Sequence, residues 1–163
     1  MALNGLVLVN AWRHDPTVGY DGLQHLSYAH TLATGRLPEP ADSNEFFSPP
    51  LPYALPAALM AAGLDPWHAA KGAQLLNVLF SIGLTWSLVG IAGLVRPDDD
   101  ALKLATVCAL ALFPVYFKTF ALVRGEPCLA FCVVLALYLT LRLVWVADGR
   151  AAAAVARDRK SVV

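Results

Sequence analysis

Asp21, His25 and Tyr28 stand close together in the chain, and the run Ser48-Pro49-Pro50-Leu51-Pro52-Tyr53 follows them. Carboxylate, imidazole and phenol at this spacing suit proton transfer. A carboxylate at a partly desolvated membrane surface is a usable general base, because desolvation raises its pKa toward the working range. An Asp before an amphipathic stretch is also a favoured helix N-cap, so Asp21 has two readings. His25 lies four residues on and would share its helix face. There it would orient the carboxylate or contact a phosphate, or simply be a surface imidazole. Tyr20 and Tyr28 flank the pair, as site residues or as aromatics of an interfacial belt. Asp15 is a second acid, but Asp15-Pro16 also reads as turn initiation.

A second charged group stands far from the first. Arg124 and Glu126 flank Gly125 before a long apolar run. Charges beside a membrane helix are costly unless exposed or paired, so the two form an exposed loop or a mutual ion pair, or they serve a ligand. In the last case Arg124 would hold an anionic headgroup through a charge-assisted bond. Glu126-Pro127 opens a helix, where the dipole favours negative charge. Pro49, Pro50 and Pro52 predict a stiff extended segment ending at Tyr53, either the wall of a groove for a lipid chain or a connector. Cys108, Cys128 and Cys132 lie in apolar runs with no His or acid at ligand spacing, which predicts neither a disulfide nor a metal site.

The elements that must position these residues are helices in a membrane. Of 163 residues, 58% are hydrophobic and 15% charged, with a mean hydropathy of +0.57. Soluble domains carry about 25% charged residues. A net charge of zero leaves no electrostatic footprint for nucleic acid. The expected fold is all-α, a polytopic helix bundle whose large extracytoplasmic first loop holds short interfacial helices. Its membrane domain covers 1–147. Residues 1–12 are apolar but reach only about 18 Å against a bilayer core of about 30 Å. They read as the outer end of a longer first helix, which points to a fragment or a misplaced start.

Residues 13–64 form the loop. Within it, Asp21 to Thr34 predicts a helix with Leu23, Leu26, His30 and Ala33 on one face, and Gly35, Pro38 and Pro40 stop it. Tyr53 to Ala62 predicts a short interfacial helix. Transmembrane helices are expected at 66–95, 101–117 and 127–147, the second kinked at Pro114, with an exposed loop over Lys118 to Glu126. Asp65-Pro66 reads as an N-cap and first-turn proline. Residues 148–163 form a polar tail with four basic residues, placed in the cytoplasm by the excess of positive charge. The loop 13–64 and Arg124 then fall on the outer side.

Taken together, "GYDGLQHLSYAHTLATGRLPEP", "FFSPPLPYALPAALMAAG" and "ALVRGEPCLAFCVVLALYL" resemble the start of C-type glycosyltransferases. Most similar are bacterial membrane glycosyltransferases related to dolichyl-phosphate-mannose–protein mannosyltransferases and lipid A aminoarabinose transferases. Gly35-Arg36-Leu37-Pro38 and Pro49-Pro50-Leu51-Pro52-Tyr53 match turns of the family's first outer loop. The resemblance covers nearly the whole chain and rests on the order and spacing of several short motifs.

The resemblance implies a sugar donor carried on a polyprenyl phosphate, an extracytoplasmic glycan, lipid or protein acceptor, and a bacterial plasma membrane. Asp21 matches the family's catalytic acid and would deprotonate the acceptor hydroxyl. Arg124 would steady the phosphate as it leaves. Many members carry Glu after the acid; here Gly22 stands there, so a divalent metal is not indicated. Members are several hundred residues long, which implies that this stretch alone is weakly active or inactive. Two other classes stay open: a small non-catalytic lipid-binding or assembly subunit, and part of a transporter. Transporters tend to carry ionisable groups at mid-membrane, whereas here they gather at one surface.

Overall fold

The computed structural model describes the backbone of residues 2–19 and 21–160, and the side chains of that range up to residue 145. Among the described residues all regular structure is helical. Seven α-helices follow in order: α1 Ala2–Arg13, α2 Gly22–Ala33, α3 Ala54–Ala61, α4 Pro66–Val95, α5 Asp100–Ala111, α6 Pro114–Ala121 and α7 Glu126–Lys160. A 3-10 turn, Leu51–Tyr53, leads into α3. Two helices are long and apolar enough to cross a membrane, α4 and the Glu126–Trp145 part of α7. The pair α5 and α6 makes a third crossing only if its 70° bend lies within one span.

Helix α4 is the post against which the others pack. Asp65 caps its start, its carboxylate accepting from the Trp67 and His68 N–H groups at 3.1 and 3.2 Å, with Pro66 in the first turn. This local signal needs no tertiary partner. On the α7 side, Gly83 and Gly90 face the rings of Phe131 and Tyr138. Both pairs are spaced seven residues apart, so one seam of small residue against ring runs along two long helices. On the α1 side, Lys71 donates to the carbonyls of Ala11, Trp12 and His14. An ammonium there satisfies the open C-terminal carbonyls of α1 and suits the negative end of its dipole.

A third face of α4 is polar. Gln74 donates to the Ala121 carbonyl at 2.9 Å, and Asn77 to the Leu122 carbonyl at 2.7 Å. Ser81 donates to Asn4 Oδ1 at 2.7 Å and meets the Tyr116 hydroxyl at 2.6 Å. Gln74, Asn77 and Ser81 are buried, and their 3- and 4-residue spacing puts them on one stripe. They answer a need created by the break between α6 and α7. Backbone leaving a helix inside an apolar layer must find partners from side chains.

Several expectations are corrected. The span at 101–117 is broken: α5 ends at Ala111, and α6 starts afresh at Pro114 and runs to Ala121. Pro114 lacks an N–H and restricts the residue before it to extended backbone, as seen at Phe113 with ψ 102°. The exposed loop expected over Lys118 to Glu126 is in part interior, with Phe120 to Val123 buried under α4. Over Ser48–Tyr53 the chain turns rather than extends, because a proline φ suits the first turn of a helix as well as an extended segment. Helix α7 runs on to Lys160, so most of the polar tail expected at 148–163 is helical, a conformation the sequence leaves open.

Candidate functional site

Helix α2 and the segment after it form a layer beside the ends of α4 and α7. The face of α2 that carries Leu23, Leu26, His30 and Ala33 is not the one the protein buries. Leu26 is buried, but Leu23 is 66% exposed and His30 also faces out, while His25, Tyr28 and Ala29 are buried. The cause lies far along the chain. Tyr53 stacks on Tyr28 with ring centroids 4.2 Å apart and on His25 at 5.7 Å. Burying three rings together outweighs burying Leu23.

The connection from α2 to Tyr53 is pinned by side chains bonding to backbone. Ser43 donates to the Gln24 carbonyl at 2.8 Å, and the Asn44 N–H donates to Gln24 Oε1 at 2.9 Å. Ser27 donates to the Asp42 carbonyl at 2.6 Å, and Tyr28 to the Ser48 carbonyl at 2.8 Å. Arg36 grips Asp42 with two bonds, of 2.6 and 2.8 Å, and Asp42 also accepts from the Glu39 N–H. The guanidinium first, and then that N–H, hold the Asp42 carboxyl down at about 2.

Between this layer and the start of α7 lies a cavity of about 340 Å³. His25, Glu45, Ser48 and Tyr53 line it from the loop side, and Gly125 and Glu126 from the α7 side. Pro49 and Pro52 add rigid walls, and Phe47 and Leu129 are apolar flanks, 72% and 63% exposed. Gly125 permits the close approach: a Cβ there would meet Tyr53 Oη at 3.4 Å and Pro52 at 3.6 Å. His25 Nδ1 lies 2.8 Å from Tyr53 Oη. Burial pushes His25 below the usual imidazole value; Glu45, Glu126 and Asp21 pull it upward, and Arg124 pulls it down. Burial drives the Tyr53 phenol far above its ordinary value, and raises Tyr28 as well.

Asp21 holds the N-cap position of α2, yet its side chain makes no capping bond. Its backbone there has φ −121° and ψ 19°, and its carbonyl accepts the His25 N–H at 3.0 Å. Position alone therefore does not use up its carboxylate. Arg124 precedes the cavity residue Gly125, its Nη1 3.2 Å from Glu126 Oε1, and its carbonyl faces the Asn77 amide at 3.4 Å. The ion pair is present, with the Arg124 side chain mostly covered and that of Glu126 mostly open.

The layer thus brings His25, Tyr53, Pro49 and Glu126 to one cavity, while Asp21 and Arg124 do not line it and bear on His25 only through their charges. Tyr28 stands behind Tyr53 as its stacking partner. Pro50 turns away, to an open apolar groove between α2 and α3 that Leu32, Leu51 and Ala54 also line. Asp15 is elsewhere, closing a turn on the Thr17 N–H at 2.8 Å and hydroxyl at 2.6 Å. Those two bonds lower its pKa. Tyr20 lies outside the described residues. Glu45, Ser48 and Phe47 join the cavity unannounced. Glu45 carries no periodic signal, and Ser48 was visible only as the first residue of the proline run. Among the described residues no cluster of three or more His, Cys, Asp or Glu is placed to hold a metal ion.

Compared with models of known protein families, with curated proteins and with solved structures, the chain matches none.

Proposed function

We propose that this chain is the N-terminal part of an integral-membrane glycosyltransferase that moves a sugar from a polyprenyl-phosphate donor to an extracytoplasmic acceptor. One observation carries the reading: an imidazole and two carboxylates from two distant stretches, His25, Glu45 and Glu126, line one cavity beside the end of an apolar helix, and the Arg124 guanidinium pairs with Glu126. A lipid-linked phosphate has the same two-part character, with an apolar chain and an anionic head at the membrane surface. The exposed Phe47 and Leu129 suit the chain, and Arg124 suits the phosphate.

In this reaction the acceptor hydroxyl gives its proton to the Asp21 carboxylate, and its oxygen attacks the anomeric carbon. The bond from that carbon to the phosphate oxygen breaks, and the electron pair stays with the phosphate. Charge grows there, where Arg124 acts by exchanging part of its pairing with Glu126 for the leaving group. Residues 13–64 and Arg124 lie on the outer face of a bacterial plasma membrane, and the tail lies in the cytoplasm.

The test is transfer from a radiolabelled polyprenyl-phosphate sugar in membranes carrying the full gene product. Removing a general base costs about 10²–10⁴ in rate, so Asp21→Asn is expected to fall by that factor with normal protein levels. Full transfer by Asp21→Asn overturns the assignment of the base. A second reading, a lipid-binding subunit without catalysis, is favoured by the apolar groove between α2 and α3, about 520 Å³ in volume. Saturable binding of polyprenyl phosphate with no transfer by the wild type would select it.

A further inference from the structure

The cavity beside the start of α7 is acidic, and no cation lines it. Glu45 faces it from the loop side and Glu126 from the α7 side, with no lysine or arginine among the lining residues. The Arg124 guanidinium is engaged with Glu126. Burial holds His25 below the usual imidazole value, so at neutral pH its ring brings no compensating charge.

Each acid is held at one oxygen and open at the other. Ser48 donates to Glu45 Oε2 at 2.9 Å, and Arg124 Nη1 lies 3.2 Å from Glu126 Oε1. Glu45 Oε1 and Glu126 Oε2 have no hydrogen-bond partner among the described residues. An ionised carboxylate only accepts, so both oxygens need donors. His25 adds a third open atom. The residue is only 4% exposed, and its Nδ1 is occupied by Tyr53 Oη at 2.8 Å, but Nε2 has no partner among the described residues. Of the side-chain nitrogens and oxygens shut off from solvent there, only Gln74 Oε1 lacks a partner. Nε2 is therefore open, and His25 lines the cavity. A buried imidazole with one nitrogen unmet needs a polar group from outside the chain.

A ligand suited to these walls donates several hydrogen bonds, carries no negative charge and is small. A sugar ring meets all three demands, because its hydroxyls donate to carboxylates and can either donate to or accept from an imidazole. The volume of about 340 Å³ lies near the bottom of the range of about 300–1,000 Å³ for small-molecule sites, which suits one ring rather than a glycan chain. Pro49 and Pro52 offer an apolar surface to the C–H face of such a ring.

We infer that the cavity is a subsite for one uncharged sugar ring, whose hydroxyls meet Glu45, Glu126 and Nε2 of His25, and that the two acids refuse a ring bearing a carboxylate. A third carboxylate brought beside these two meets like charge and loses its water with no cation to compensate it. That the ring belongs to the donor rests on the transferase reading; the charge selectivity does not. The donor's phosphate then stays with Arg124, which does not line the cavity, so the protein sorts the two parts of the donor head by charge.

The experiment titrates the full protein in micelles with methyl hexosides of gluco, galacto and manno configuration, each against its matched hexuronoside. Binding is read from the ¹⁵N NMR signals of labelled histidine, with His25→Gln assigning His25 among the four histidines. At least one hexoside is expected to shift the His25 signals saturably, and its hexuronoside to bind weaker by about tenfold or more. Glu45→Gln is expected to shrink that ratio about threefold at unchanged helix content. Glu126→Gln is expected to shrink it further, because it also leaves the Arg124 charge unbalanced. No saturable shift with any hexoside, a hexuronoside that binds as well as its partner, or a ratio indifferent to both variants overturns the inference. Selective binding by a wild type that transfers no sugar sinks the transferase reading and leaves the subsite standing. Transfer by a wild type that does not distinguish the matched pair does the reverse.

Discussion

Replacing Gly83 by alanine asks whether α4 and α7 pack as closely as the structure has them. A Cβ on Gly83 would fall 2.5 Å from one ring carbon of Phe131 and 3.0 and 3.1 Å from two others. Carbon atoms prefer about 3.5–4.0 Å, so the nearest contact is short by about 1 Å. Phe131 is stacked on Phe80 at 5.6 Å, which limits how far the ring can swing. Overpacking of this kind costs about 1–3 kcal/mol. Against it stands a gain of about 1 kcal/mol, because alanine favours a helix more than glycine does. The net expectation is a loss of about 0–2 kcal/mol. Gly5 in α1 supplies the control, since a Cβ there meets nothing within 4 Å. Gly5→Ala keeps the propensity gain and is expected to stabilise by up to about 1 kcal/mol. Gly90→Ala, whose Cβ would lie 2.7 Å from Tyr138, is expected to behave like Gly83→Ala. The two should add, because they are about 10.5 Å apart along the helix and press on different rings. Equilibrium unfolding in mixed micelles, followed by circular dichroism, ranks the variants. If Gly83→Ala proves as stable as Gly5→Ala, the close seam between α4 and α7 is refuted.

Three further outcomes follow from the packing around α4 and α2. Asn77→Leu strips the Leu122 carbonyl of its 2.7 Å donor in an apolar setting and is expected to cost about 1–3 kcal/mol in the same unfolding assay; a neutral result would mean that the carbonyl finds another partner. Lys71→Met removes the donor shared by three carbonyls at the end of α1 and is expected to cost about 2 kcal/mol, with Lys71→Arg recovering part of it. The Arg36–Asp42 clamp sets a pH window: the Asp42 carboxyl is lowered to about 2 in the fold, so its contribution is whole above the ordinary Asp value of about 3.9 and fades as pH falls toward 2. Hydrogen exchange at the Glu39 amide, which bonds Asp42, is expected to quicken only at the bottom of that window, and quickening near pH 5 would contradict the shift.

How much of this the sequence disclosed depends on where each residue finds its partner. Helix α4 and the apolar part of α7 were legible because a lipid environment demands long uncharged runs, and composition records that demand directly. The Asp65-Pro66 start was legible because a cap bonds to N–H groups two and three residues away. The break after Ala111 was only half legible. Pro114 signals a disturbance, but whether the backbone leaving α6 beyond it can stay in the interior depends on Gln74 and Asn77, which lie more than 40 residues upstream of the Ala121 and Leu122 carbonyls they bond. Their spacing of three on an otherwise apolar helix was the available clue, since a buried amide needs a partner somewhere. The buried face of α2 was hidden for the same reason: the hydrophobic pattern favours Leu23 and His30, and only Tyr53, 28 residues beyond His25, makes the aromatic face the inner one.

The candidate site follows this rule more strictly than the fold does. Each of its ionisable groups has a local use that would explain its presence: Asp21 at an N-cap position, Glu126 in the first turn of α7, Arg124 as partner to Glu126. Glu45 is no exception, because its carboxylate accepts from Ser48, three residues on. What these local accounts leave unexplained is that Glu45 and Glu126, from distant stretches of the chain, line the same cavity as His25. If the cavity were only a seam between loop and helix, Glu45→Gln would leave sugar transfer unchanged, since glutamine can still accept from Ser48 and fills the same space. If the cavity serves an ionic reaction, losing that one negative charge from the wall it shares with His25 changes the rate of transfer at unchanged helix content.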